Sequence, residues 1–233
     1  MQLLKNLNES ARKAWLQLVL SELPSGASIL DVGAGELGNK KYCGHLQYVS
    51  QDFGQYVSPT VQSSIDSLHP GKWDTTRVDI VSDIIHIPCP PESFDALLCS
   101  EVLEHVPDPI SALDEFYRIL KPNGILIITA PFSSNVHMAP FHFYSGFTRY
   151  WYEHHLETKG MKIKTLTANG DWFALMWQEI SHLPSIERGL NKWTWPTAYI
   201  FCAVAYLYFR LLRKKNDSPL SCFGWQCVAI KTT

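Results

Sequence analysis

The sequence predicts an α/β fold built on a mostly parallel sheet, and three observations lead there. Residues Ile29 to Gly38 run Ile-Leu-Asp-Val-Gly-Ala-Gly-Glu-Leu-Gly, an apolar strand pattern feeding directly into a glycine-rich turn. Further short apolar runs follow, separated by helical patterns and polar connections, which is the alternation of βαβ units. Four acids, Asp31, Asp52, Asp83 and Glu101, fall at or just past the carboxyl ends of the predicted strands. In open α/β sheets that rim is where ligands bind.

The elements take the following order. Asn8 or Ser10 is placed to cap a helix running through Leu20, with Ala11, Ala14, Trp15, Leu18 and Val19 near helical spacing. Ser28–Val32 is the first strand, Gln47–Gln51 the second and Val78–Ser82 the third. Phe94–Cys99 is apolar enough to be a parallel strand buried on both faces. Pro109 sits in the first turn of a helix containing Ala112, Leu113, Phe116, Ile119 and Leu120, and Pro122-Asn123-Gly124 stops it. Ile125–Thr129 is the fifth strand, Tyr150–Lys159 a helix and Met161–Leu166 a further strand.

Composition limits the function classes. The 233 residues suffice for one substantial core, and the formal charge of −2 offers no basic footprint for nucleic acid. Six scattered cysteines lack both metal spacing and a disulfide framework, which suggests reduced thiols in a cytoplasmic protein. Lys5, Asn6, Asn8, Glu9, Arg12 and Lys13 interrupt any apolar signal core.

The glycine turn is the strongest functional signal. Gly33 and Gly35 let the backbone turn tightly and approach a ligand, and Asp52 lies close to the roughly 20-residue offset of a ribose-binding acid. An adenosine-containing cofactor is expected. Gly33, Gly35 and Gly38 meet the dinucleotide spacing formally, but the segment after them is short and Gly44 breaks it. Asp31, two residues before the first glycine, suits a cation. The turn therefore favours S-adenosylmethionine, with its sulfonium and amino group, over a nicotinamide. Each acid also has a bland reading: Asp31 can cap the turn, and Asp83 can end its strand in an Asx turn.

Downstream motifs strengthen that preference. Asp79-Ile-Val-Ser-Asp83-Ile84, the run Ser100-Glu101-Val-Leu-Glu104-His105-Val106, Asp108-Pro109, Glu115 and Arg118-Ile-Leu-Lys-Pro-Asn-Gly124 stand in a characteristic order. Over residues 27–165 the chain resembles the class I S-adenosylmethionine-dependent methyltransferases of the type 11 kind. The resemblance implies a Rossmann-like, mostly parallel seven-stranded sheet with a helical insertion before the last strand. It implies that Gly33 and Gly35 contact the methionine part and that Asp52, with Phe53 beside it, holds the ribose. Asp83 and Ile84 would frame the adenine, with Ser100 and Glu101 beside the donor pocket. One departure is that Leu37 occupies the usual third glycine, with Gly38 one place later.

The acceptor side is expected between Pro131 and Trp151, where polar groups sit among rings. His105 and His142 are candidate catalytic residues, and His137, Tyr144 and Trp172 candidate substrate contacts; a packed connector is the alternative. Glu104 is expected to face solvent or cap a helix. No metal set is expected, since Pro140 between His137 and His142 rules out a helical pair. This loop resembles, more loosely, that of methyltransferases of glycan or lipid-linked polysaccharide assembly. It points first to O-methylation of a sugar or lipid-linked glycan hydroxyl. A quinone or other lipid acceptor comes next, and a catalytically inactive cofactor-binding scaffold is the alternative from another class.

Domain organisation follows: 1–169 a cofactor-binding core, 170–218 an apolar helical insertion, and 219–233 a last strand returning to the sheet. Trp195 to Leu212 is nearly all apolar, with tryptophans before it and Arg210, Arg213, Lys214 and Lys215 at its end. A bilayer-spanning helix would strand the last strand on the wrong side. The run is therefore expected to be a buried cap or a dimer helix, or to lie on a membrane through residues 195–213. Trp172, Trp177 and Trp193 are expected on the acceptor side.

Overall fold

The computed structural model describes residues 7–56, 74–190, 192–212 and 220–232. The chain runs α1 (Leu7–Ser21), β1 (Ser28–Val32), β2 (Gln47–Asp52), β3 (Ile80–Val81), β4 (Phe94–Ser100), α2 (Pro109–Ile119) and β5 (Leu120–Pro131). It continues with α3 (Arg149–Thr158), β6 (Met161–Asn169), α4 (Trp172–Ser181), α5 (Leu183–Gly189), α6 (Trp195–Leu212) and β7 (Gly224–Lys231). The strands form one seven-stranded sheet in the order β3-β2-β1-β4-β5-β7-β6. β1 to β5 pair in parallel, and β7 runs antiparallel between β5 and β6. This is the Rossmann-like, mostly parallel seven-stranded sheet expected from the sequence.

Strand alternation builds a core on each face. Leu30, Val32, Leu97, Cys99, Leu126 and Ile128 point to the side covered by Leu113, Phe116 and Ile119 of α2 and by Tyr152 and Leu156 of α3. Ile29, Ala96, Leu98 and Ile127 point the other way, against Leu16 and Leu20 of α1. The apolar reading of β4, broken only by Asp95 near its start and Ser100 at its end, thus has its cause: both faces are covered. Burying a Leu or Phe of this kind is worth about 1.5–3 kcal/mol relative to leaving it in water.

Local boundaries differ from expectation in a few places. Asn8 and Ser10 lie inside α1 and do not cap it, and the Ser10 hydroxyl donates to the Leu7 carbonyl. Pro109 occupies the first turn of α2 as its sequence suggests, and the Asp108 carboxylate caps the helix by accepting from the Ile110 and Ser111 N–H groups. The helix stops at Ile119, before Pro122-Asn123-Gly124, because Leu120 already enters β5. The third strand is only Ile80–Val81.

Helices α4, α5 and α6 form the segment between β6 and β7. α6 rests on α4 and α5 through a narrow stripe that buries Ala198 and Cys202, while Ile200, Phe201, Val204, Leu207 and Leu211 are exposed. It is therefore not a buried cap. Arg213, Lys214 and Lys215 lie outside the described residues. Trp177 packs on Tyr206 of α6, Trp172 lies near Phe209, and Trp193 is 87% exposed. None of the three tryptophans lines the cavity at the strand ends. Their rings pack within the insertion or meet solvent.

Candidate active site

A cavity of about 630 Å3 opens at the carboxyl ends of β1, β2 and β4. That is the size of a small-molecule cleft, which runs roughly 300–1,000 Å3. Its inner end is made by the turn after β1. Gly33 and Gly35 take left-handed φ values of +67° and +52°. A Cβ on Gly33 would stand 2.5 Å from a methyl of Val102, so only glycine fits there. Leu37 also takes a left-handed φ, +63°. Gly38 does not, and a Cβ on it would meet nothing within 4 Å. The departure from the usual glycine pattern is thus absorbed by a strained leucine.

Asp52 closes this turn from β2. One carboxylate oxygen accepts the Gly35 N–H at 2.9 Å and the other accepts the Gly54 N–H at 2.9 Å. Each oxygen keeps a second lone pair for a ligand hydroxyl. Phe53, Asp83, Ile84, Ser100 and Glu101 also line the cavity. Asp83 makes an Asx turn to the Ile85 N–H as well, so its structural reading and its place at the cavity coexist. Ser100 meets the Thr129 hydroxyl at 2.9 Å.

Asp31 is the exception among the expected acids. It is buried beneath the turn, accepts a hydrogen bond from Tyr48 at 2.7 Å and does not line the cavity. Burial is the main force on its carboxyl, which is pushed up to about 7 despite donors from Tyr48 and Asn39. Side-chain alternation explains the miss. Leu30 and Val32 face one layer, and Asp31 faces the α1 layer below the rim.

Glu101 has φ +57°, a left-handed conformation that costs a non-glycine residue energy and gathers at functional sites. Its side chain bridges Arg12 of α1 at 2.9 Å and the Thr129 hydroxyl at 3.0 Å. Arg12 was not legible as a site residue, since it reads as an exposed helix position. Five carboxylates (Glu9, Glu36, Asp52, Asp83, Glu101) against two cations (Arg12, Lys13) line the cavity. A ligand carrying positive charge and hydroxyls suits such a wall, and a pyrophosphate does not.

The outer end is built by the chain after β5. Met138, Phe141 and Phe143 join Phe53, Tyr56 and His105 around the opening. Phe141 packs edge-on against Phe53, ring centroids 5.1 Å apart. The segment is pinned where the Phe143 and Tyr144 N–H groups donate to the Glu104 carbonyl. Of the expected acceptor residues, His105 lines the cavity. His137 and His142 stand just behind it, ring centroids 4.6 and 5.9 Å from that of His105. His142 meets the Ser134 hydroxyl at 3.1 Å, and burial, with His137 nearby, lowers its pKa. Tyr144 donates to the Pro107 carbonyl and does not reach the cavity. Glu104 corrects the sequence expectation most sharply. It is 1% exposed, and burial first, then the Glu101 charge, hold its carboxyl well above the usual range. It sits in the short turn Leu103–His105, and its carboxyl lies within electrostatic reach of buried Cys99 and Tyr152 and of Glu101.

Comparison with known proteins agrees with this geometry. Residues 30–128 match the family model described as a methyltransferase domain. The ubiquinone biosynthesis O-methyltransferase of Xylella fastidiosa (strain M23) is 32% identical over 112 residues, covering 45% of this chain and 42% of that protein. The 2-methyl-6-phytyl-1,4-hydroquinone methyltransferase of Synechocystis sp. is 32% identical over 109 residues, covering 47% and 33%. The matched stretch therefore spans a third to two fifths of the length of these curated relatives. Among solved structures, phosphoethanolamine N-methyltransferase 2 of Haemonchus contortus in complex with S-adenosyl-L-methionine superposes with a TM-score of 0.53 at 17% identity. It covers 95% of this chain and 52% of that one, a likeness of fold. Turn, acidic wall and domain match converge: over residues 30–128 this chain is similar to a methyltransferase domain, and its sheet shares the fold of an S-adenosyl-L-methionine-bound methyltransferase.

Proposed function

We propose that this chain transfers a methyl group from S-adenosylmethionine to a phenolic or quinol-like ring acceptor, ahead of the sugar hydroxyl that the sequence first suggests. The observation carrying the reading is the polarity change along one cavity, acidic at the glycine turn and aromatic at Phe53, Phe141 and Phe143. A flat ring stacks well in such a mouth, and the quinone names of the two curated relatives point the same way. Bound at the inner end, S-adenosylmethionine supplies an electrophilic methyl on a positive sulfur.

The chain's own residues would then bind, orient and exclude water. Gly33 and Gly35 admit the methionine part, Asp52 accepts from the ribose hydroxyls, and Asp83 with Ile84 frames the adenine. Phe141 and Phe143 close the opening, so alignment and water exclusion carry most of the rate. His105, at the boundary between the two ends, is placed to accept the proton of an acceptor hydroxyl.

The test uses methyl-labelled donor with short-chain catechols and hydroquinones beside a panel of sugars and glycolipids. Label entering the ring acceptors supports the reading, and label entering only sugars returns the glycan reading. Donor binding without transfer to any acceptor leaves a cofactor-binding scaffold.

A second feature bears on the acceptor. α6 is long and apolar enough to cross a membrane by length and composition, yet only 11% of it is buried. We read it as lying on a bilayer, its exposed Ile200, Phe201, Val204 and Leu207 in the acyl boundary and Arg210 at the headgroups. A prenylated acceptor would be met at that surface. In vesicle flotation, wild-type protein should float and Phe201→Asp/Val204→Asp should not. A wild-type protein that stays in solution as a dimer, split by the same changes, would assign the face to a second copy.

A further inference from the structure

Beside the outer end of the cavity, the fold brings together three residues that no sequence spacing unites. Glu104 and His105 come from the turn after β4, and His137 from the segment after β5. One ligating atom from each lies within 4.8 Å of the others. We propose that Glu104, His105 and His137 form a binding site for a divalent transition metal ion of the zinc type.

Three features carry this. The first is an unexplained buried group: Glu104 is 1% exposed, and its Oε2 has no hydrogen-bond partner among the described residues. A buried carboxylate oxygen left unsatisfied is costly, and a cation bound there removes the cost. The second is tautomer control. His105 Nδ1 lies 2.5 Å from the Phe141 carbonyl and His137 Nδ1 lies 2.9 Å from the Asn135 carbonyl. A carbonyl only accepts, so each Nδ1 carries the proton and each Nε2 carries the lone pair. Metal-binding histidines are oriented in this same way by backbone carbonyls. The third is direction: His105 Nε2 stands 3.8 Å from Glu104 Oε1, so the carboxylate and imidazole converge.

Two histidines and one carboxylate leave an open coordination position, as in sites that act on a bound ligand. Tetrahedral ligands at about 2.1 Å from zinc stand roughly 3.4 Å apart, so the segment bearing His137 would draw in by about 1 Å on binding. His105 also lines the cavity, which puts the site beside the acceptor end. There, an ion would take the His105 Nε2 lone pair and, in place of that imidazole acting as a base, lower the pKa of a coordinated acceptor hydroxyl. The site itself does not rest on the methyl-transfer reading, because metal binding is measured with metal alone.

The experiment adds Co2+ and Zn2+ to untagged, chelator-treated full-length protein. It reads cobalt ligand-field absorption and metal retained after dialysis, with donor heat by calorimetry as a check that the fold is intact. Wild-type protein should hold about one ion per chain, and His137→Ala and Glu104→Gln should each weaken it by about tenfold or more. His137→Ala should keep its donor heat, and it carries the test alone if Glu104→Gln does not fold. No retained ion in the wild type, or retention that survives His137→Ala, overturns the proposal.

Discussion

The two ends of the cavity are made by different kinds of chain. The inner end consists of strand ends and one tight turn, so its residues follow from local pattern: a run of apolar residues, two glycines, an acid after the next strand. The outer end is assembled from the segment after β5, a buried turn after β4 and the residues just past β2, which are far apart in sequence. The contrast teaches where sequence reading fails. A strand end has one place to be, whereas a connecting segment acquires its partners only when the sheet exists.

The largest expected effect tests the support beneath the inner end. Asp31 has a folded pKa raised from 3.8 to about 7, with burial as the main cause. Its protonated form favours the folded state, so this contribution is whole below about 3.8 and lost as pH rises through about 7. Wild-type stability minus that of Asp31→Asn should fall across that window by on the order of a few kcal/mol. Urea midpoints at several pH values measure it, and a flat difference would show the carboxyl to be ionised.

Glycine geometry gives the next effect. Gly33→Ala should destabilise by about 2–4 kcal/mol, from the left-handed backbone and the clash with Val102. Adding Val102→Ala should recover the steric part and leave the backbone part. Gly38→Ala should be neutral or slightly stabilising, because nothing there requires glycine. Equal losses at the two glycines, read by thermal melts, would undo the account of the turn.

Ligand binding separates the ends themselves. Asp52→Ala should weaken donor binding by about 1.5–3 kcal/mol, the size of a charged hydrogen bond, measured by calorimetry. Phe143→Ala, a smaller change, should raise the acceptor KM by about tenfold or less while leaving donor affinity intact. A matched loss of donor affinity would mean that the two ends act as one site.

Much was legible from residues. β1, β4, the start of α2 at Pro109 and the return of the last strand all follow from apolar runs and turn chemistry. Asp52, Asp83 and Glu101 follow because strand ends share one rim. Asp31 misled because a one-residue step in a strand reverses the face, and its position before the turn says nothing of which layer lies beneath. Glu104 misled because a charged residue in a short turn normally meets water, whereas here its carboxyl is buried near Cys99 and Tyr152, which other elements bring to it. Arg12 gave no signal at all, since its partner Glu101 is 89 residues away.

The sequence by itself determined the sheet, the glycine turn and the acidic rim, because hydrophobic period and backbone sterics act within a few residues. The tertiary structure decided the rest. Which acid is buried, which histidines converge and which face of α6 stays bare depend on contacts between segments that only the folded sheet brings within bonding distance.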